Sequence, residues 1–358
     1  MARQPSGDGR LSEVVGFGTN PGGLRMLTYL PPDLPQGAPL VVALHGCTQT
    51  AAGYDLGCGW SDMAERSGFA LLLPEQRRAN NAHLCFNWFE PGDTARDAGE
   101  ALSIRQMVDY LTRTHGLDPA QVFITGLSAG GAMTSVMLAT YPEVFAAGAV
   151  VAGLPYGAAR GVGEAFSAMG RPAALPLAAR GDAVRAASPH SGPWPRVAVW
   201  HGEADATVHP DNADEIVKQW LDLHQIGNRP PSQELRSAVH HQRHWLGADG
   251  RAWVECHRIA DMAHGVPIHP GEAEGRCGVA GPYLLDVGVS STHHILDFWG
   301  LESAGVALHA EAPREAPAAS RDPQRPAYVE TGWAGVQMER GPGAAIAQAL
   351  RAAGLMGR

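Results

Sequence analysis

The sequence has no apolar run approaching the ~20 residues that a membrane-crossing helix requires, so no membrane span is expected. It has no excess of positive charge either. Its 27 Lys and Arg stand against 36 Asp and Glu, and the net charge of −9 argues against a partner such as nucleic acid or anionic lipid. Cysteine is scarce and odd in number: Cys47, Cys58, Cys85, Cys256 and Cys277 cannot all pair within one chain. None forms a Cys-x-x-Cys, so neither a zinc ribbon nor a dithiol redox pair is expected. The N-terminus, MARQPSGDGRLSEVVGFGTN, lacks the apolar centre of a secretory leader. As read, the chain is expected to be cytoplasmic, and extracellular if a leader was trimmed. What remains, 45% hydrophobic and 18% charged, suits a globular chain folding in water.

Residues 1–23 are polar and Gly-rich and are expected to form an irregular arm. From there the pattern alternates. RMLTYL (25–30) reads as an edge strand, and PLVVALHG and FALLLP are continuous apolar runs of the kind found in strands buried on both faces. WSDMAERSG reads as a short helix. A longer helix is expected from Thr94, with Asp97 completing a capping-box-like start and Ile104, Met107, Val108 and Leu111 on one face. The strand QVFIT, a helix ending at Pro142, the strands FAAGAVV and RVAVW, and the helix DNADEIVKQWLDLHQ follow. HWLGADGRAWVECHRI reads as a hairpin around Asp249-Gly250, and THHILDFWGL as a last helix. Strands alternating with helices predict an α/β fold with a mainly parallel twisted sheet and helices on both faces. Residues 154–195 exceed an ordinary crossover and are expected to form a lid or insertion. The domain is expected to span 24–303, followed over 304–358 by a Pro/Ala-rich linker and a short C-terminal helix.

In an open parallel sheet the chemistry gathers beyond the carboxyl ends of the strands. Those ends carry His45-Gly46-Cys47, Gly126-Leu127-Ser128-Ala129-Gly130, His201-Gly202-Glu203-Ala204-Asp205 and Asp261-Met262-Ala263-His264. A Ser, an Asp and a His thus follow in the order of a nucleophile-elbow hydrolase. Ser128 between two glycines fits a strained strand-to-helix bend, where a Cβ on either flank would clash. The alternative is a structural turn serine. His264 is the candidate general base and Asp205 the residue that orients it, with Glu203 the rival carboxylate and Asp211 a remoter one. The N–H groups of Ala129 and Cys47 are the candidate oxyanion donors. Cys47 as a thiol nucleophile beside His45 is disfavoured, because adjacent residues on an extended loop align poorly for proton transfer. A Cys47–Cys85 bridge is an expectation resting on both residues flanking the predicted pocket. His45 and His201 are expected to pack against or bond the backbone. The adjacent pairs His240-His241 and His293-His294 point to opposite sides of their elements, so no metal ligation is expected from them.

The segments LHGCTQTAAGYD, CFNWFEPGDTARDAGEALSIRQMVD, GLSAGGAMTSVMLATYPEVFAAGAVVAGLPYG, HGEADATV and AHGVP resemble the polyhydroxybutyrate-depolymerase-type esterases of the α/β-hydrolase fold, over about residues 24–301. The resemblance implies Ser128, Asp205 and His264 as a triad, Cys47 and Ala129 as oxyanion donors, and Trp88 near the acyl site, where plain core packing is the alternative. It implies a serine carboxylester hydrolase acting through an acyl-enzyme, without metal or organic cofactor. The substrate class is soluble or oligomeric hydroxyacyl esters or a polyester. Feruloyl-type or other short-chain esters, and a peptidase or acyltransferase with the same triad, stand as alternatives. Two departures from the family pattern stand out. Val266 replaces a Trp common two residues after the catalytic His, and no separate polymer-binding domain is recognised.

Overall fold

The computed structural model describes residues 4–5, 10–271 and 273–302. The expected linker and C-terminal helix at 304–358 lie outside them. Among the described residues, eleven strands form one sheet. In chain order they are β1 (Gln4–Pro5), β2 (Ser12–Val14), β3 (Arg25–Tyr29), β4 (Leu40–Leu44), β5 (Ala70–Glu75), β6 (Val122–Leu127), β7 (Ala147–Val151), β8 (Arg196–Gly202), β9 (Gln233–Arg236), β10 (His240–Leu246) and β11 (Ala252–Ile259). The spatial order is β1-β2-β3-β5-β4-β6-β7-β8-β11-β10-β9. The six strands from β5 to β11 run parallel, and antiparallel strands extend both edges. A small parallel pair, β12 (Val266–Ile268) with β13 (Leu284–Asp286), stands apart.

The continuous apolar strands are continuous because helices cover both faces. Leu40, Val42 and Leu44 of β4 join one core cluster and Val41 and Ala43 the other, as the two-residue period of a strand requires. All five are buried, each stabilising the fold by roughly 1–3 kcal/mol. The first face packs α4 (Gly99–His115), α5 (Ala129–Thr140) and α8 (Asp211–Leu223). The second packs α1 (Ala51–Cys58), α2 (Trp60–Ser67) and α9 (Ser291–Trp299). A single turn, α3 (Pro91–Thr94), precedes α4.

Two expectations are corrected. The long helix starts at Gly99 rather than Thr94, because Asp97 and Gly99 both take positive φ and break the chain there. The segment at 25–30 is not an edge strand: β2, inside the expected irregular arm, pairs with β3 and moves the edge outward. The region at 154–195, expected as a lid or insertion, holds two helices, α6 (Val162–Gly170) and α7 (Leu177–Arg185), packed against the body. Arg180 of α7 donates from Nε to Glu215 of α8 at 2.7 Å, and both side chains are only 4% exposed. Backbone and side-chain bonds from His209 and Asn212 to the carbonyls of Met169 and Ala168 tie α6 to the loop before α8 and to its first turn.

Candidate active site

Ser128 leaves β6 and starts α5 at φ 57 and ψ −114, a left-handed backbone that costs of order 1–3 kcal/mol outside glycine. The flanking glycines are required by close approach. A Cβ on Gly126 would lie 2.4 Å from the Gly130 carbonyl oxygen, and one on Gly130 would lie 2.4 Å from that of Leu44. The Ser128 N–H donates to Val151 of β7 at 2.9 Å, which anchors the bend on that strand. It projects the hydroxyl beyond the carboxyl edge of the sheet.

Asp205 sits on the loop after β8 and His264 on the loop after β11. The two loops are joined by N–H bonds from Glu203 to Ile259 and from Ala204 to Met262, at 2.9 and 3.0 Å. Gly202 permits this: its missing Cβ would fall 2.2 Å from the Met262 oxygen. The Asp205 carboxylate is buried and fully engaged. Its Oδ1 accepts from the N–H groups of Thr207 and Val208 at 2.8 and 2.9 Å, and its Oδ2 lies 2.7 Å from His264 Nδ1. His201 Nε2 is shared between the Val208 carbonyl at 2.9 Å and Asp205 Oδ2 at 3.2 Å. Burial alone would raise the Asp205 pKa. The hydrogen bonds from His201 and His264 overcome it and hold the carboxyl well below the usual carboxylate range. Glu203 is exposed, and so is Asp211 at the start of α8.

His264 and Ser128 line one small cavity together with Gly46, Cys47, Gln49 and Tyr283. Among the described residues no hydrogen bond joins the ring to the Ser128 hydroxyl. Such bonds are often long in an unliganded enzyme and tighten around substrate. A second, more enclosed cavity of about 50 Å³ also reaches Ser128. It is lined by Cys85, Trp88, Phe89, Leu154 and Val208, and by Val162, Ala165, Phe166 and Met169 of α6. Trp88 is therefore a wall residue as well as a core residue, 7% exposed and edge-on to Phe89 at 5.4 Å. Val266, where relatives commonly have a Trp, lines neither cavity. Val266 is buried in β12, and Tyr283 packs edge-on to His264 at 6.1 Å.

Cys47 and Cys85 form a disulfide, so Cys47 carries no thiol nucleophile. Cys58, Cys256 and Cys277 are buried and free. The loop at Cys47 is held by Gly46 N–H on Gln49 Oε1 at 2.8 Å and Thr48 N–H on His83 at 2.7 Å. Behind it, His45 Nε2 accepts from the Gln76 N–H at 3.1 Å, which puts its proton on Nδ1, 2.8 Å from the Gly46 carbonyl. Below Trp88, the fully buried Glu100 accepts from the Asn87 N–H at 2.8 Å and from the Gln76 amide. Burial and the nearby Asp93 charge push its pKa up to about 8. This polar floor escaped sequence reasoning, because Gln76, Asn87 and Glu100 meet only in the fold, whereas His201 bonds the backbone as expected and in addition reaches Asp205. A wider cleft of about 640 Å³, between residues such as Pro119, Pro142 and Arg196, lies at the opposite, amino ends of β6, β7 and β8, away from these groups.

The family model described as Esterase PHB depolymerase matches residues 24–232. Poly(3-hydroxyalkanoate) depolymerase C of Paucimonas lemoignei is 46% identical over 292 residues, 81% of this chain and 70% of the relative. Acetylxylan esterase A of Aspergillus oryzae is 34% identical over 271 residues, 74% of this chain and 87% of the relative. Among solved structures, an acetyl xylan esterase from Aspergillus awamori superposes with a TM-score of 0.69 at 26% identity, covering 82% of this chain and all of that one. The architecture is that of the α/β-hydrolases.

Proposed function

The chain belongs to the esterase PHB depolymerase family and is a serine carboxylester hydrolase, and from that premise we propose that Ser128, His264 and Asp205 are its catalytic triad. The observation that carries this reading is the buried 2.7 Å contact between Asp205 and His264 Nδ1, on a ring whose cavity is shared with Ser128. With Nδ1–H donated to the carboxylate, Nε2 keeps its lone pair for the Ser128 proton. The hydroxyl attacks the ester carbonyl, and the negative oxygen is taken up by the N–H of Ala129 and that of Cys47. As the first residue of α5, Ala129 has no acceptor within the helix, and the bonds that fix the Cys47 loop use its neighbours. The protonated ring then gives its proton to the leaving alcohol. Water, activated by the same nitrogen, releases the acid and restores Ser128.

The acyl chain enters the narrow apolar cavity between Trp88 and α6, which favours short acyl groups. The substrates of this reading are 3-hydroxyalkanoate esters and their oligomers, with polymer as the extended case. A location in an oxidising compartment accompanies it, supported by the Cys47–Cys85 bridge. Among the described residues no helix is long and apolar enough to cross a membrane. A rate survey over p-nitrophenyl acyl esters, 3-hydroxybutyrate oligomers and amorphous polymer granules tests the reading. It expects kcat/KM to peak at short acyl chains and hydroxybutyrate oligomers. Preference for long acyl chains or for amides contradicts it.

A further inference from the structure

On the face of the sheet covered by α9, well separated in sequence from the nucleophile, four imidazoles and a carboxylate converge around Trp200. His244 stands directly opposite Glu255 across the β10–β11 ladder, and Gln242 opposite His257. Strand alternation puts all of these on one face, with Cys256 and Arg243 turned to the other. His257 is stacked on Trp200 at 3.8 Å, and His240 and His294 close the cluster at 5.2 and 6.0 Å between ring centroids. Adjacent histidines do diverge, as the sequence predicts: His241 bonds Glu234 at the sheet edge. The convergence arises between strands and from the helix, not within a dipeptide.

Ligand atoms of His244, Glu255 and His257 all lie within 4.8 Å of one another. His257 Nε2 is 3.0 Å from Glu255 Oε2, and His244 Nδ1 is 3.9 Å from Glu255 Oε1. The other nitrogen of His244, Nε2, is buried with no hydrogen-bond partner. The second nitrogen of His257 lies 3.0 Å from His240 Nε2, and His240 Nδ1 lies 3.3 Å from the Gln242 amide. His240 thus gives a metal-bound His257 the hydrogen-bond partner on its remaining nitrogen that metal-ligating histidines almost always have. Arg196 is the nearby cation acting on Glu255, and its guanidinium donates to the Phe298 carbonyl at 2.6 Å.

From this geometry we infer that His244, Glu255 and His257 form a binding site for a divalent transition metal of the zinc class. Two imidazoles and one carboxylate are a donor set for zinc, with a further position open to water. In the metal-free protein His257 Nε2–H donates to Glu255 and His240 Nε2–H to His257 Nδ1. Metal uptake needs the His257 Nε2 lone pair, so both rings change tautomer. His257 Nδ1–H then donates to His240 Nε2, and His240 Nδ1–H to the Gln242 carbonyl after its amide turns over. The proton count is unchanged. The ion would pin β10 to β11, the hairpin that leads into the His264 loop.

The test uses the full chain, stripped by a chelator and desalted, then titrated with Zn²⁺ against a chromophoric competitor. One equivalent should bind, and at about 100 Kd of free Zn²⁺ the melting temperature should rise by roughly 3–8 °C. His244→Ala and Glu255→Gln should each weaken binding by at least the ~10–100-fold that loss of a mere supporting hydrogen bond costs, while His241→Ala leaves it unchanged. His264→Ala provides an arm that leaves the hairpin intact, and it should retain the site. No uptake by the wild type, uptake indifferent to both ligand variants, or uptake lost in His264→Ala overturns the inference.

Discussion

Replacing Asp205 with Asn removes a charge and almost no volume, yet the structure dictates which way the new amide must turn. Oδ1 accepts two backbone N–H groups at 2.8 and 2.9 Å, so an amide nitrogen there would face two donors. The nitrogen therefore takes the Oδ2 position, 2.7 Å from His264 Nδ1. A donor at that point makes Nδ1 the acceptor and moves the ring proton to Nε2, where it faces Ser128 and cannot accept a proton. His201 keeps the Val208 carbonyl at 2.9 Å, so only its shared bond to residue 205 is lost. The wrong tautomer is expected to lower kcat by about 10³–10⁴, which is about 4–5.5 kcal/mol of transition-state stabilisation. KM should change little, because no cavity-lining side chain is altered. Hydrolysis of p-nitrophenyl butyrate by Asp205→Asn, with melting followed by circular dichroism to confirm folding, gives both constants. A folded variant within about tenfold of wild-type kcat refutes the reasoning.

Gly130→Ala should yield protein that is insoluble or melts far below wild type, because its Cβ would meet the Leu44 carbonyl backbone at 2.4 Å; a normal melt contradicts this. The Cys47→Ala/Cys85→Ala pair removes a bridge spanning 38 positions and should cost about 4 kcal/mol, read as a lower denaturant midpoint and reduced kcat from a loosened Cys47 loop; equal midpoints contradict it. The Asp205 carboxyl is depressed in the folded protein, so between its ordinary value of about 4 and its folded value the unfolded chain binds more protons. The stability it supplies is complete above about pH 4 and disappears as pH falls below it, and Asp205→Asn should flatten that acid limb of a stability-versus-pH curve.

Much of the site could be read in one dimension because its constraints are local. Gly126 and Gly130 record a bend too tight for side chains, and the strand ends at Leu127, Gly202 and Ile259 are punctuated by Ser128, Asp205 and His264 in chain order. The strand–helix alternation likewise exposes the parallel sheet. The α4 boundary was misjudged because Asp97 resembles a cap in composition while its positive φ breaks the chain. β2 and β9 are only three and four residues long, and they exist because β3 and β10 offer unpaired edges. Gln76 and Glu100, which support the Trp88 segment from below, are 24 residues apart and individually look like surface residues. The His240–His257 contact likewise depends on a cross-strand register that no local pattern encodes.

The most direct measurement is site mapping with a fluorophosphonate on the native full chain, read by peptide mass spectrometry. One adduct per chain is expected, on Ser128, absent from Ser128→Ala and strongly slowed in His264→Ala. Stoichiometric labelling of another residue, or labelling of Ser128 that is indifferent to the loss of His264, would contradict it.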